Sequence, residues 1–376
     1  MITLNGRYNF AHIMIDSCDE SVANQIHQIL NHPAFQGTQI RIMPDCHVGV
    51  GSVVGFTCRG MKNYVIPNIV GVDIGCGMLA ANFGDIDIDF TKLDQGIREN
   101  IPAGFAARNK IHKKVEMLLP INYKITEVGK KIGGDINRFL LSLGTLGGGN
   151  HFIEVGRAPN NDKWVIIHTG SRNFGKMICD YHQAKAKKLM KQMFIEEAYK
   201  GLEFLPIENG GLEYLEDHNA AFNYSILNRD IILEEIAKIL GREPEDEIVS
   251  IHNYIDIDGV IRKGATPASA RKTVIIPFNM RDGIAICTGK GNTFWNESAP
   301  HGAGRIMSRR QAKENVSLDD YKKSMEGIYT TCVGQDTIDE SPMAYKDFNV
   351  ILEAIKDTVS VDFLLKPLYN FKAGGE

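Results

Sequence analysis

The stretch VIPNIVGVDIGCG, residues 65–77, decides how the rest of the chain is read. Its apolar run, 65–70, predicts a short strand buried on both faces. The run passes directly into a glycine-rich turn that carries Asp73 and Cys76 three residues apart. A carboxylate and a thiolate leaving one turn can face a single site, and both ligate divalent metals. The same pattern of apolar strand, glycine loop and reactive side chain recurs on either side. Glycines bunch at 49–55, 71–77, 144–151, 168–175, 288–292 and 301–305, out of 37 in the chain. Glycine permits left-handed backbone and close approach, so such clusters suit either hairpin turns or functional loops. His, Cys, Asp or Asn lies inside five of these six clusters, which favours functional loops.

Further strands are expected at 77–83, 164–168, 273–278 and 284–288, each ending in a glycine loop. Helices are expected at 21–30, 89–99, 138–141, 180–194, 212–240 and 348–358, the fourth with a basic outer face. The helical middle, about 176–245, reads as an insertion into one catalytic domain spanning 1–376, because reactive residues lie on both sides of it. At 43% hydrophobic and 23% charged, with net charge −4, the 376 residues exclude a disordered, collagen-like or coiled-coil chain. No apolar run reaches the roughly 20 residues of a membrane span, and no signal peptide is expected. The seven cysteines include no CxxC pair, which fits a reducing, cytoplasmic compartment; apart from Cys76 they read as small buried hydrophobes.

His151 follows three glycines and Asn150, His168 closes WVIIH, and His252 closes IVSIH ahead of Asn253. Each alone is an ordinary hydrogen-bonded imidazole. Together with Asp73 and Cys76 they form a metal constellation, too dispersed for a zinc finger and without HExxH. His301 lies in SAPHGAGR, followed by Arg305, Arg309, Arg310 and Lys313. A neutral imidazole attacks phosphorus well, and nearby cations stabilise charge on phosphoryl oxygens, so His301 is a candidate nucleophile. The alternative is a turn histidine before a basic helix. Asp45 and His47 are candidates to orient it. There is no P-loop, and a dinucleotide-binding fold is weakly supported.

Seven ordered motifs resemble the RtcB-type RNA ligases: MPDCHVGVG (43–51), VGVDIGCG (70–77), LGGGNHFIEV (146–155), HTGSRNFG (168–175), IHN (251–253), RKGATPA (262–268) and HGAGRIMSR (301–309). The resemblance implies an α+β fold, a single catalytic domain with a mixed β-sheet or sandwich core and glycine-rich active-site loops. It implies joining of RNA 3′-phosphate or 2′,3′-cyclic phosphate ends to 5′-hydroxyl ends, in RNA repair or tRNA splicing, with GTP and two Mn²⁺. By motif, Asp73, Cys76, His151, His168 and His252 correspond to the metal ligands, with Cys76 as bridge. His301 corresponds to the histidine that becomes guanylylated, and Asp45 to its orienting carboxylate. Asn150, Glu154, Asn253, Tyr345 and Lys372 correspond to nucleotide contacts, Arg172 and Arg305 to phosphate or RNA-end contacts. The guanylate would pass to the RNA 3′-phosphate before the 5′-hydroxyl attacks. An accessory activating protein is an open partner, and no membrane partner is expected.

The chain departs from the family pattern in two places. Ile261 stands where histidine usually precedes RKGAT, and residues 278–282, FNMRD, replace a GSMGT-type loop. Asn279 is a candidate to replace a serine hydrogen bond to the nucleotide. The chain is also short, as though trimmed in the middle. Alternatives are therefore an enzyme that caps RNA 3′-ends with guanylate without sealing them, a noncatalytic RNA-end-binding protein, and a generic metallohydrolase.

Overall fold

The computed structural model describes residues 1–193 and 199–373. The strands that build its two main sheets are β1 (Ile2–Asn5), β2 (Phe10–Ile13), β3 (Gln39–His47), β4 (Val54–Arg59), β5 (Gly77–Asn82), β6 (Phe152–Arg157), β7 (Lys163–Thr169), β8 (Asp246–Ile251), β9 (Asn253–Ile255), β10 (Ile261–Lys263), β11 (Thr273–Asn279), β12 (Gly283–Gly289) and β13 (Val359–Phe371). The first sheet runs β1-β2-β3-β4-β10-β9 and the second β8-β5-β7-β6-β13-β12-β11. Only the β2–β3 pair among these is parallel. Edge strands β8 and β11 of the second sheet approach one another, so that sheet curls towards a closed barrel. The fold is α+β.

Side-chain alternation explains why the second sheet is buried on both faces. Leu79, Ala81, Val165 and Ile167 point into one core together with Ile153 and Val155. Met78, Ala80, Trp164 and Ile166 point into the other, inside the curl, with Ile284, Ile286 and Leu365. His168 shares the parity of Trp164 and Ile166, so the strand delivers its ring to the inner side.

Four helices matter for the site: α1 (Glu20–Leu30), α2 (Phe90–Asn100), α3 (Arg172–Gln192) and α4 (Leu212–Leu240). α4 stops at Gly241, whose φ of 66° lets its N–H reach back to the carbonyl of Lys238. Its Ala221, Tyr224, Leu227 and Ile231 enter the core beneath the first sheet. Its Ile232 and Ile236 enter the core shared with α2. The helical middle is therefore a strut through the molecule, common to both cores.

Several elements differ from their expectation. Residues 65–70 are not a strand: Tyr64–Val65 pairs briefly with Leu205–Pro206, and Pro67–Val70 is a helical turn. Pro67 lacks an N–H, which disfavours a central strand but suits the first helical position, where the N–H has no partner anyway. α3 begins earlier than expected, at Arg172, and position 194 of the expected 180–194 helix lies outside the described residues. The last expected helix closes as Phe348–Ala354 followed by the 3-10 turn Ile355–Asp357. Among the described residues, no helix is long and apolar enough to cross a membrane.

Candidate active site

The loop 71–76, just before β5, projects Asp73 and Cys76 towards the ends of β6, β7 and β8. Gly75 takes φ of 74°, and a Cβ there would run into Ser225 of α4, so this turn accepts only glycine. His151 precedes β6, His168 lies in β7, and His252 sits between β8 and β9, its N–H donating to the Cys76 carbonyl at 2.9 Å. Cys76 Sγ lies 3.3 Å from His168 Nε2 and 3.7 Å from His151 Nε2. His168 Nε2 lies 3.2 Å from His252 Nε2, and His151 Nε2 lies 3.0 Å from Asp73 Oδ2. The five side chains thus form two triads, Cys76–His168–His252 and Asp73–Cys76–His151, with all ligand atoms of a triad within 4.8 Å. Cys76 belongs to both.

The donor chemistry fits a pair of divalent cations. Two nitrogens and a sulfur bound to one small cation stand roughly 3.5 Å apart, close to the spacings seen. His168 Nδ1 faces the Asn150 carbonyl at 3.1 Å, so Nδ1 carries the proton and Nε2 the lone pair. Burial, aided by the charge of neighbouring histidines, pushes His168 and His252 well below the usual imidazole range, which keeps them neutral. Burial pushes the Asp73 carboxyl up, but the His151 hydrogen bond and charge and Arg172 outweigh it and hold Asp73 at about 2. Burial and then the Asp73 charge raise the Cys76 thiol well above its ordinary value. A bound cation reverses that balance and takes the thiolate.

His301 follows the short strand Ser298–Pro300. Its Nδ1–H donates to Asp45 Oδ2 at 2.6 Å, and its backbone N–H donates to the same oxygen at 3.2 Å. Asp45 is fully buried at the end of β3. The pairing leaves His301 Nε2 as the basic nitrogen. The ring packs on His252 with centroids 4.8 Å apart, which sets the nucleophile candidate against the Cys76–His168–His252 triad. Gly304 makes the close approach possible: its φ is 74°, and a Cβ would strike the Asp45 backbone.

Of these groups, His168, His301 and Gly304 line a cavity of about 490 Å³. Of the expected nucleotide contacts, Asn150, Glu154, Asn279, Arg305, Tyr345 and Lys372 line it. Asn253 does not; its Nδ2 donates to the Asp73 carbonyl at 3.3 Å and its Oδ1 accepts the Gly264 N–H at 2.8 Å, so it braces the loop that carries Asp73. His47 lines the cavity with Nδ1 on the Asp45 carbonyl at 3.0 Å, and burial lowers it to about 4. Burial pushes Glu154 up to about 8 although Asn370 donates to it at 2.9 Å, and its Oε1 has no hydrogen-bond partner among the described residues. A neutral carboxyl with a spare oxygen is suited to a purine edge.

Asn279 lines the cavity, yet its amide is committed to its own turn. Nδ2 donates to Asp282 Oδ2 at 2.7 Å, and Oδ1 accepts the N–H groups of Arg281 and Asp282, each at 3.0 Å. Arg281 then pairs with Asp282 at 2.7 Å. Ile261 is buried in β10 opposite Cys58 and Ile255, within the core beneath the first sheet. Arg172 joins the candidate metal ligands, with Nη1 3.3 Å from His151 Nδ1 and Nη2 donating to the Gly104 carbonyl at 3.2 Å.

Three residues escaped sequence reasoning. Glu340 is buried among cations: Oε2 meets Lys372 Nζ and the Tyr345 hydroxyl, both at 2.7 Å, and Oε1 meets Arg309 at 2.6 Å and Arg305 at 3.3 Å. Burial would raise it, but Lys372, Arg309 and Arg305 hold it at about 2. Asn228 and Arg229 of α4 secure the loops. Asn228 accepts the N–H groups of Gly144 and Thr145 at 2.8 and 3.1 Å, and Arg229 donates to the carbonyls of Gly75 and Thr169 at 2.9 and 2.6 Å. No motif marked any of them, because each acts through partners distant in sequence.

A family profile described as "tRNA-splicing ligase RtcB" matches residues 25–373. The chain is 34% identical to the "RNA-splicing ligase RtcB" of Escherichia coli K12, over 89% of this chain and 90% of that one. It is 26% identical to the "tRNA-splicing ligase RtcB" of Methanococcus maripaludis, over 92% of this chain and 90% of that one. It is 28% identical to the "RNA-splicing ligase RtcB" of Mycobacterium tuberculosis, over 83% and 91%.

Proposed function

The chain belongs to the RtcB family, and from that membership we propose that it is a GTP-dependent RNA ligase sealing 3′-phosphate or 2′,3′-cyclic phosphate ends to 5′-hydroxyl ends. The observation that carries this reading is the His301–Asp45 pair, facing a nucleotide-sized cavity beside two donor triads that share Cys76. His301 Nε2 attacks the α-phosphate of GTP, forming an N–P bond as pyrophosphate leaves. Asp45 keeps the Nδ1 proton in place and stabilises the imidazolium that develops. Asp73, Cys76, His151, His168 and His252 hold the cations, Mn²⁺ in this reading. The metal supplies charge neutralisation at phosphoryl oxygens. Lys372 and Arg305, already gathered by Glu340, meet phosphate, and Glu154 and Asn150 meet the nucleotide. The guanylate then moves to the RNA 3′-phosphate oxygen, and attack of the 5′-hydroxyl expels GMP.

Incubation with radiolabelled GTP and Mn²⁺, followed by mass spectrometry, tests this directly. A GMP adduct on His301, absent in His301→Ala, together with joined RNA product, is the expected result. No adduct would exclude the nucleotide-transfer chemistry and leave a noncatalytic RNA-end binder. The self-bonded turn at 279–282 favours one second reading, guanylyl capping without sealing, because a cavity wall that withholds a hydrogen bond can weaken the final geometry. Capped 3′-ends without joined product would select it.

A further inference from the structure

Between residues 105 and 138 the chain carries eight basic side chains against three acidic ones, although its total charge is −4. Arg108, Lys124 and Lys131 are spoken for, by Glu235, Glu127, and Glu213 with Asp217. Lys110, Lys113 and Lys130 make no ion pair among the described residues, and Lys110, Lys113 and Lys130 are all exposed. The same segment holds four large apolar side chains turned to solvent: Phe105 at 73%, Met117 at 74%, Leu119 at 70% and Tyr123 at 72% exposure. Helical spacing places Leu119, Tyr123 and Lys130 on one face of the helix Leu119–Lys131, whose Ile125 and Val128 face the core.

This strip begins at the active site. Gly104, one residue before Phe105, accepts the Arg172 guanidinium that also touches His151. Arg138 fixes the loop by donating to the Phe105 carbonyl. A second cavity, about 390 Å³ and lined by Arg98, Gly104, Thr331 and Lys372 among others, adjoins the strip. Lys372 also lines the main cavity, so the two cavities meet at that residue. Unpaired cations interleaved with exposed aromatic rings form the surface chemistry suited to single-stranded nucleic acid, where phosphates meet ammonium groups and bases stack on rings.

We propose that this strip is the docking surface for the single-stranded RNA leading into the reacting end, with phosphates on Lys110, Lys113 and Lys130 and bases stacked on Phe105 and Tyr123. The inference rests on the RNA-ligase reading, and it adds where the body of the substrate lies. Fluorescence anisotropy across a salt series, with labelled 3′-phosphate RNAs of about 20 and about 5 nucleotides, tests it. Lys110→Glu/Lys113→Glu/Lys130→Glu is expected to weaken long-RNA binding about tenfold or more and to reduce the log–log salt slope by about 2. Phe105→Ala/Tyr123→Ala is expected to weaken it about tenfold with the slope unchanged. Both variants should bind the short RNA, and form the His301 adduct with GTP and Mn²⁺, as the parent does. Unchanged long-RNA affinity in both variants overturns the proposal and leaves the strip to a protein partner. Equal losses on short and long RNA also overturn it. Strip-dependent RNA binding by a protein that never forms the adduct would uphold the docking surface while sinking the ligase reading.

Discussion

Asp45 directs a single oxygen at both the ring and the backbone of His301, and its other oxygen, Oδ1, has no hydrogen-bond partner among the described residues. Asp45→Asn keeps the volume but removes the charge that holds the Nδ1 proton, so the wrong tautomer becomes accessible. Adduct formation is expected to slow by about a hundredfold or more at unchanged folding, measured by quenched-flow with labelled GTP. Cys76→Ser takes a soft donor from both triads at once. Metal content by mass spectrometry is expected to fall for both ions, whereas His252→Ala should cost mainly the triad it belongs to. Glu154 yields a pH prediction. Its carboxyl is raised from 4.5 in a free chain to about 8 when folded, first by burial. The native state therefore binds the extra proton between those values, and stability contributed by this group falls as pH rises from 4.5 to about 8. Glu154→Gln, which mimics the protonated form, is expected to flatten that part of the denaturation-midpoint profile.

Among the elements, α4 has the widest influence on the site without touching the cavity. Its Arg229 binds one carbonyl from the loop of Asp73 and another at the end of β7, and one position earlier Asn228 clasps the loop before His151. Arg229→Leu leaves two buried carbonyls unpaired and is expected to cost about 3 kcal/mol in chemical denaturation, together with weaker metal binding. The sequence made the strands ending in ligands legible, because apolar runs into glycine loops are local signals. β5, β7, β11 and β12 fall within a residue or two of expectation. Residues 65–70 were misread because an apolar run alone does not separate a strand from a short buried helix, and Pro67 was the deciding residue. All five metal-ligand candidates converge, as do His301 and Asp45, since those positions were carried by motifs. Asn253 and Asn279 were harder, because an amide's partners depend on the turn it sits in. Glu340 was illegible for a related reason: its meaning comes from Lys372, Arg305 and Arg309, supplied by separate segments.

At the scale of the molecule, net charge proved a weak guide to an anionic substrate. The chain is slightly acidic overall, yet cations are concentrated around Glu340 and along the strip at 105–138. The second sheet, curled on itself, and the first sheet meet α4 through shared cores, so the site lies where rigid layers converge. Because the candidate ligands come from segments far apart in the chain, metal binding in the proposed reading would tie those segments together. Chelation is expected to lower stability by about 3 kcal/mol for an ion present at a hundred times its Kd, read by denaturant unfolding with and without EDTA. The carbonyl of Asn150 adds a second kind of coupling. It receives His168 Nδ1 at 3.1 Å on one side and Lys372 Nζ at 3.5 Å on the other. One peptide group therefore sits between the candidate ion ligands and the cavity wall, so in the proposed reading an arrangement that suits one ligand would bias the affinity for the other. Such linkage is reciprocal: whatever factor the ions contribute to nucleotide affinity, the nucleotide must return to the ions.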